Sequence, residues 1–184
     1  RKSVWTYHGP EMLPALRCDF ERMWQSFDLS QYCIDHSELV DILCERLRHG
    51  RVKGRLILDK SMFFRTSPWR QPNKVRALRE AGCKIRLRQP PEGKYAYMHM
   101  KCCLCDGRVL FTGSVNLTHN GLECSDEHLV RIEEAEEIAR YQEHYERIWN
   151  QSEILRQGDL DEAQRLRVKG GKEGGAHEDD ARWS

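Results

Sequence analysis

Between Ser26 and Asn150, short runs with the period of a strand alternate with longer runs with the period of a helix. This order constrains the fold more than any other feature of the chain. Ser26–Ile34 sets Phe27, Leu29 and Gln31 against Asp28 and Ser30, as a strand does. Leu39, Ile42, Leu43 and Leu47 then recur at helical spacing, with Asp35 or Ser37 available as a cap and Gly50 as a stop. Val52–Asp59 reads as a second strand, Lys74–Ala81 as a short helix stopped by Gly82, and Lys84–Leu87 as a third strand. Met98–Cys105 and Arg108–Thr112 are two further strands joined by a tight turn at Asp106-Gly107. Glu127–Ile132 is another strand. Glu133–Asn150 is a charged helix with Ile138, Tyr141, Tyr145 and Ile148 on one face. The expected fold is α/β, a mixed sheet flanked by helices on both faces.

On either side of this core the pattern weakens. Residues 1–25 contain Gly9, Pro10 and Pro14 and are expected to be an irregular lead-in with a short helix over Leu16–Met23. The first residue is Arg1, so the sequence is expected to begin inside a longer protein. Residues 26–150 are expected to form the catalytic domain. Residues 151–184 are polar and acidic, then glycine-rich, and are expected to be a disordered tail. No apolar run reaches the roughly 18 residues that a membrane-spanning helix needs.

Net charge over the whole chain is +1, but it is unevenly spread. Arg46–Lys101 carries 16 Lys and Arg against 3 Asp and Glu, a net of +13, while Leu122–Ser184 carries 9 against 17, a net of −8. A basic segment suits an anionic substrate or, more plainly, a set of solvated faces. The 8 cysteines do not have the spacing of a disulfide framework and are expected to be mostly reduced core residues, which points to an intracellular, reducing compartment. A zinc reading of Cys102, Cys103, Cys105 and Cys124 fails on geometry, because strand alternation turns Cys102 away from Cys103 and Cys105. No metal or cofactor is expected. Phe63, Phe64 and Trp69 either line a groove or pack in the core, and packing is expected.

The chemistry-bearing stretch is His99-x-Lys101, four residues, Asp106, six residues, Gly113-Ser114-x-Asn116. Residues two apart on a strand face one side, so His99 and Lys101 point together. The loop after Thr112 can bring Ser114 and Asn116 beside them. Hydrolysis of a phosphodiester needs cations and hydrogen-bond donors around the non-bridging oxygens. Lys101, Asn116 and Ser114 are of the right types, and a neutral His99 can attack phosphorus.

The constellation resembles the HKD motif of the phospholipase D superfamily. The likeness runs on through NLTHNGLECSDEHLVRI and back through SFDLSQYCIDHSELVDILCERLRHGRVKGRLILD, covering roughly Ser26 to Trp149. It implies a phospholipase D-like sandwich and a metal-independent phosphodiesterase. It implies His99 as nucleophile through a covalent phosphohistidine, Lys101, Ser114 and Asn116 as the phosphate pocket, and Glu127 as the acid that orients the histidine. Asp106 matches the motif's aspartate; its place in a hairpin turn points to a structural role. No other histidine of this chain is followed by Lys at the second position, and the chemistry needs two histidines. The resemblance therefore implies a homodimer sharing one active site. It leaves open an endonuclease acting on nucleic acid, the expected substrate, a hydrolase of anionic phospholipid such as cardiolipin, or a non-catalytic nucleic-acid-binding module. A place on the mitochondrial surface would need an N-terminal anchor outside this sequence.

Overall fold

The computed structural model describes residues 1–49 and 51–173. Eight strands form one mixed sheet in the order β1-β7-β6-β5-β2-β3-β4-β8. In chain order these are β1 (Val4–His8), β2 (Ser26–Gln31), β3 (Lys53–Asp59), β4 (Lys84–Arg88), β5 (Lys101–Cys105), β6 (Val109–Gly113), β7 (His128–Ile132) and β8 (Glu153–Ile154). Strands β2, β3 and β4 run parallel, joined by helical crossovers; the others pair antiparallel. The helices are α1 (Met12–Arg22), α2 (Ser37–His49), α3 (Lys60–Phe63), α4 (Gln71–Glu80), α5 (His119–Glu123), α6 (Ala135–Asn150) and α7 (Gln157–Glu173).

Helices cover both faces, as the periodicity requires. On one face Met12, Leu16 and Phe20 of α1, Leu39, Val40 and Leu43 of α2, and Val75 and Leu78 of α4 bury against Phe27, Leu29, Leu56, Leu58, Cys103 and Cys105. On the other, Ile138, Tyr141, Tyr145, Ile148 and Trp149 of α6 bury against Ile57, Cys102, Leu104 and Leu110. Cys102 thus lies on the opposite face from Cys103 and Cys105. All eight cysteines are free thiols, six of them buried and Cys18 and Cys124 exposed.

Both flanks differ from the sequence-based expectation. Residues 4–8, read as irregular, form β1, which pairs with β7 from Val4↔Ile132 to His8↔His128. Its alternating burial is shallow, and the signal is masked by Gly9-Pro10 just beyond it. Residues 157–173, read as part of a disordered tail, form α7. Leu160, Ala163 and Arg167 turn inward from α7, and Leu155 just before it joins the same core. Only two apolar residues of α7 are buried, and the third inward position is an arginine, so an apolar count misses the helix. Residues 174–184 of the expected tail lie outside the described residues. The α2 cap also differs: the backbone N–H of Leu39 donates to Nδ1 of His36, at 3.4 Å.

Two backbone details aim the site. Asp106 and Gly107 have φ of 53° and 62°, and Arg108 N donates to the Cys105 carbonyl at 3.0 Å, the left-handed two-residue turn that a right-twisted hairpin requires. Gly113 has φ 151°, and a Cβ there would meet the His128 carbonyl oxygen at 2.1 Å. Only glycine lets β6 end flush against β7 and release Ser114 into the loop.

Candidate active site

Lys101 opens β5 opposite Gln31 of β2. Strand alternation sends its side chain to the face away from Cys102, and His99, in the segment just ahead of the strand, lies against it. Lys101 is only 9% exposed. Its Nζ lies 2.9 Å from Nδ1 and 3.1 Å from Nε2 of His99, and 2.9 Å from the His99 carbonyl oxygen. The imidazole itself is exposed. It packs edge-on against Tyr32 with ring centroids 4.6 Å apart, and the Lys101 ammonium sits 5.6 Å from the Tyr32 ring centre. Burial pushes the His99 pKa below its ordinary 6.5; the neighbouring Lys101 cation pushes the same way, and Asp59 opposes both. Burial also lowers the Lys101 pKa, against the raising effect of Cys33 and Glu127.

The segment that carries His99 is irregular and is held from beneath by Asp59, at the end of β3 and fully buried. One carboxylate oxygen accepts from Met98 N at 2.8 Å. The other accepts from Met62 N at 2.8 Å and Ser61 Oγ at 2.6 Å, which caps α3. Gln31 braces the other side. Its Nε2 donates to the Cys102 carbonyl at 3.2 Å, and its Oε1 accepts from Leu117 N at 3.3 Å. It therefore couples β5 to the loop that holds Asn116.

Ser114 and Glu127 come together at the mouth of β6 and β7. The Ser114 hydroxyl donates to the Glu127 carboxylate and accepts from His128 N at 2.9 Å. Glu127 therefore bonds Ser114 within this chain, and its charge reaches Lys101. Asn116 is buried, with 2% exposure, and its Oδ1 has no hydrogen-bond partner among the described residues. A buried amide oxygen left so carries an unmet desolvation cost of order 1–3 kcal/mol, which a donor or a turn of the amide relieves.

Asp106 stands apart from this cluster. Its carboxylate accepts from the backbone N–H groups of Gln25 at 2.8 Å, Ser26 at 3.1 Å and Trp24 at 3.2 Å. Its own N donates to the Ser26 carbonyl at 2.7 Å. It ties the β5–β6 turn to the start of β2.

His128 pairs with His8, Nδ1 to Nε2 at 2.8 Å, and His36 and His119 share Glu123. Among the described residues no group of three or more His, Cys, Asp or Glu is arranged to hold a metal ion. No helix among them is long and apolar enough to cross a membrane. Sequence reasoning missed Asp59, Gln31 and Tyr32. Each was visible only as a polar or aromatic residue at a strand end, and their value comes from pairings that sequence distance hides.

A family model described as cardiolipin synthase, PLD-like domain, matches residues 16–149. Human mitochondrial cardiolipin hydrolase is 37% identical over 145 residues, which is 78% of this chain and 53% of that protein. The mitochondrial cardiolipin hydrolase of Chlamydomonas reinhardtii is 25% identical over 143 residues, 78% of this chain and 60% of that protein. The chain thus spans little more than half the length of these relatives. Among solved structures, NucT from Helicobacter pylori superposes with a TM-score of 0.73 at 18% identity, covering 83% of this chain and 98% of its own. Nuc from Salmonella typhimurium, a phospholipase D family member, gives 0.73 at 17%, covering 84% and 98%. These two share the fold. With the family model spanning most of the chain, this protein belongs to the phospholipase D-like family.

Proposed function

We propose that the chain is a phosphodiesterase that cleaves nucleic acid through a covalent phosphohistidine on His99, as a homodimer and without a metal ion. The observation that carries the reading is the His99–Lys101 pair. A buried ammonium lies against an exposed imidazole whose pKa is held below its ordinary value, which favours the neutral form in the attacking copy. A neutral ring is a nucleophile, and the adjacent cation offsets the negative charge that a phosphodiester brings.

In the proposed first step a ring nitrogen of His99 forms a bond to phosphorus, and the bond from phosphorus to the leaving oxygen breaks. The leaving oxygen takes a proton from the imidazolium of the partner subunit's His99. In the second step water attacks phosphorus and the N–P bond breaks. The released proton returns to the partner subunit's His99. Two copies of one histidine serve as nucleophile and acid because they titrate as a coupled pair. Lys101 holds the non-bridging oxygens, Asn116 adds its amide donors by turning toward them, and Ser114 adds its one hydroxyl proton by exchanging Glu127 for the phosphate. Glu127 holds Ser114 until substrate enters, and Asp106 acts through the turn.

A second reading, hydrolysis of an anionic phospholipid at a mitochondrial surface, is favoured by the curated relatives, named mitochondrial cardiolipin hydrolases. One experiment separates the readings. A labelled single-stranded oligonucleotide is incubated with wild type and His99→Ala in excess EDTA. Cleavage that survives chelation and vanishes in the variant supports the nuclease. If dimeric wild type leaves the oligonucleotide intact and instead hydrolyses cardiolipin vesicles, the substrate is lipid.

A further inference from the structure

Two loops present aromatic rings to solvent, one joined through Arg65 and Tyr97 to the other, which leads into His99. The first, residues 64–70, carries Trp69 at 60% exposure; the second, residues 89–97, carries Tyr95 at 76%. Neither loop is slack. Gln89 Nε2 donates to the carbonyls of Gly93 at 3.4 Å and Ala96 at 3.1 Å, and Ala96 N donates to the Gly93 carbonyl at 3.1 Å. The first loop is braced by α7. Arg167, 6% exposed, donates through Nε to the Pro68 carbonyl at 2.9 Å and through Nη1 to the Phe63 carbonyl at 3.0 Å. The loops meet where Arg65 Nη2 donates to the Tyr97 hydroxyl at 3.3 Å.

Each ring has its own cation. Arg70 lies 5.1 Å from the Trp69 ring centre, Lys94 lies 4.8 Å from Tyr95, and Arg65 lies 5.6 Å from Tyr97. From Tyr97 the rings lead inward: Tyr97 to Tyr32 is 6.0 Å between centroids, and Tyr32 to His99 is 4.6 Å. Aromatic faces interleaved with cations are what single-stranded nucleic acid needs, a π-face for each base and a positive charge for each phosphate. Trp and Tyr beside Lys and Arg would also suit an anionic membrane surface; what favours a strand of bases is that the rings continue inward, from Tyr97 through Tyr32 to His99.

We infer that the two loops form a stacking track for unpaired nucleotides on one side of the scissile phosphate. Tyr97, Tyr95 and Trp69 are its platforms, and Arg65, Lys94 and Arg70 its phosphate partners. The inference rests on the nucleic-acid reading above and sharpens it: the substrate is single-stranded, because bases inside a duplex cannot reach these rings.

The test combines Trp69→Ala and Tyr95→Ala, both at exposed positions. Binding of a short fluorescent oligonucleotide, single-stranded and as a duplex, is measured by anisotropy in a His99→Ala background. Hydrolysis of bis(p-nitrophenyl) phosphate is measured with His99 intact. Losing the platforms should weaken single-strand binding about tenfold or more, leave hydrolysis of the small diester unchanged, and be reversed by Trp69→Phe and Tyr95→Phe. Unchanged affinity in the double variant, or a duplex bound as well as the single strand by the His99→Ala parent, overturns the track while oligonucleotide cleavage still stands. Loss of binding to cardiolipin-containing phosphatidylcholine vesicles, with oligonucleotide affinity intact, overturns it in favour of a membrane-facing surface. Hydrolysis of the small diester with no oligonucleotide cleaved removes the nucleic-acid reading, and the track falls with it.

Discussion

At the Lys101 end of β5 a buried ammonium touches an exposed imidazole. At the other end, about 13 Å away by strand rise, a carboxylate gathers three backbone N–H groups from residues 24–26. Both ends belong to one short sequence signature, yet they face different problems. The Lys101 end keeps a charge poised in a partly desolvated place, which is useful only when a substrate arrives. The Asp106 end satisfies donors that would otherwise be orphaned where α1 hands over to β2. One short spacing can thus hold a candidate reactive pair and its mechanical support together, and only the hydrogen-bond partners tell them apart.

Mutation should separate the two ends. His99→Ala is expected to reduce kcat/KM by about a thousandfold or more, since it removes the proposed nucleophile. Its melting temperature should stay near that of wild type because the ring is exposed; a clear fall would mean that His99 is also structural. Lys101→Met should cost about a hundredfold in kcat by removing the charge proposed to face the phosphate oxygens. Retention of full kcat in that variant would move the electrostatic role elsewhere. Asp106→Ala should do the reverse. It is expected to lose roughly 1–3 kcal/mol of stability in urea titration while the folded fraction keeps its turnover. A large drop in turnover with stability intact would place Asp106 in the chemistry and break the contrast. The smallest effect is on titration. His99, followed by NMR, should titrate below pH 6.5, and Lys101→Met should move its midpoint upward. Because the folded pKa lies below the unfolded one, the unfolded chain takes up the proton first. Stability associated with His99 is therefore full above pH 6.5 and declines as pH falls. A midpoint that ignores Lys101→Met would mean that burial alone sets it.

The hairpin that carries these two ends was legible in the sequence because its signals are local. Asp106-Gly107 names the turn, although the strand expected from Met98 begins only at Lys101, because Met98 is held by Asp59 rather than by a neighbouring strand. The sorting of Cys102 away from Cys103 and Cys105 followed from alternation alone. Helix α6 was legible because Ile138, Tyr141, Tyr145 and Ile148 lie on one stripe. What escaped were contacts between distant segments. Asp59 caps α3 and also holds Met98 across 39 positions, and nothing near it in sequence reports the second task. Arg167 is buried on three carbonyls rather than on an acid, so charge counting placed it in solvent. Of the three aromatic residues expected to pack, Phe63 and Phe64 do, while Trp69 is exposed.

The strand that opens with Lys101 meets β2 through partners 70 to 78 positions away along the chain, from Gln31↔Lys101 to Phe27↔Cys105. Its hairpin with β6 closes over only a few residues. Loop-closure entropy orders these events, hairpin early and β2–β5 seam late. A chain in which that seam is still open would leave Cys102, Cys103 and Cys105 without the burial that raises their thiol pKa values in the folded protein. Renaturation is thus a race between sheet closure and oxidation, and the yield of refolded protein should depend on reductant present during that interval more than on reductant added afterwards.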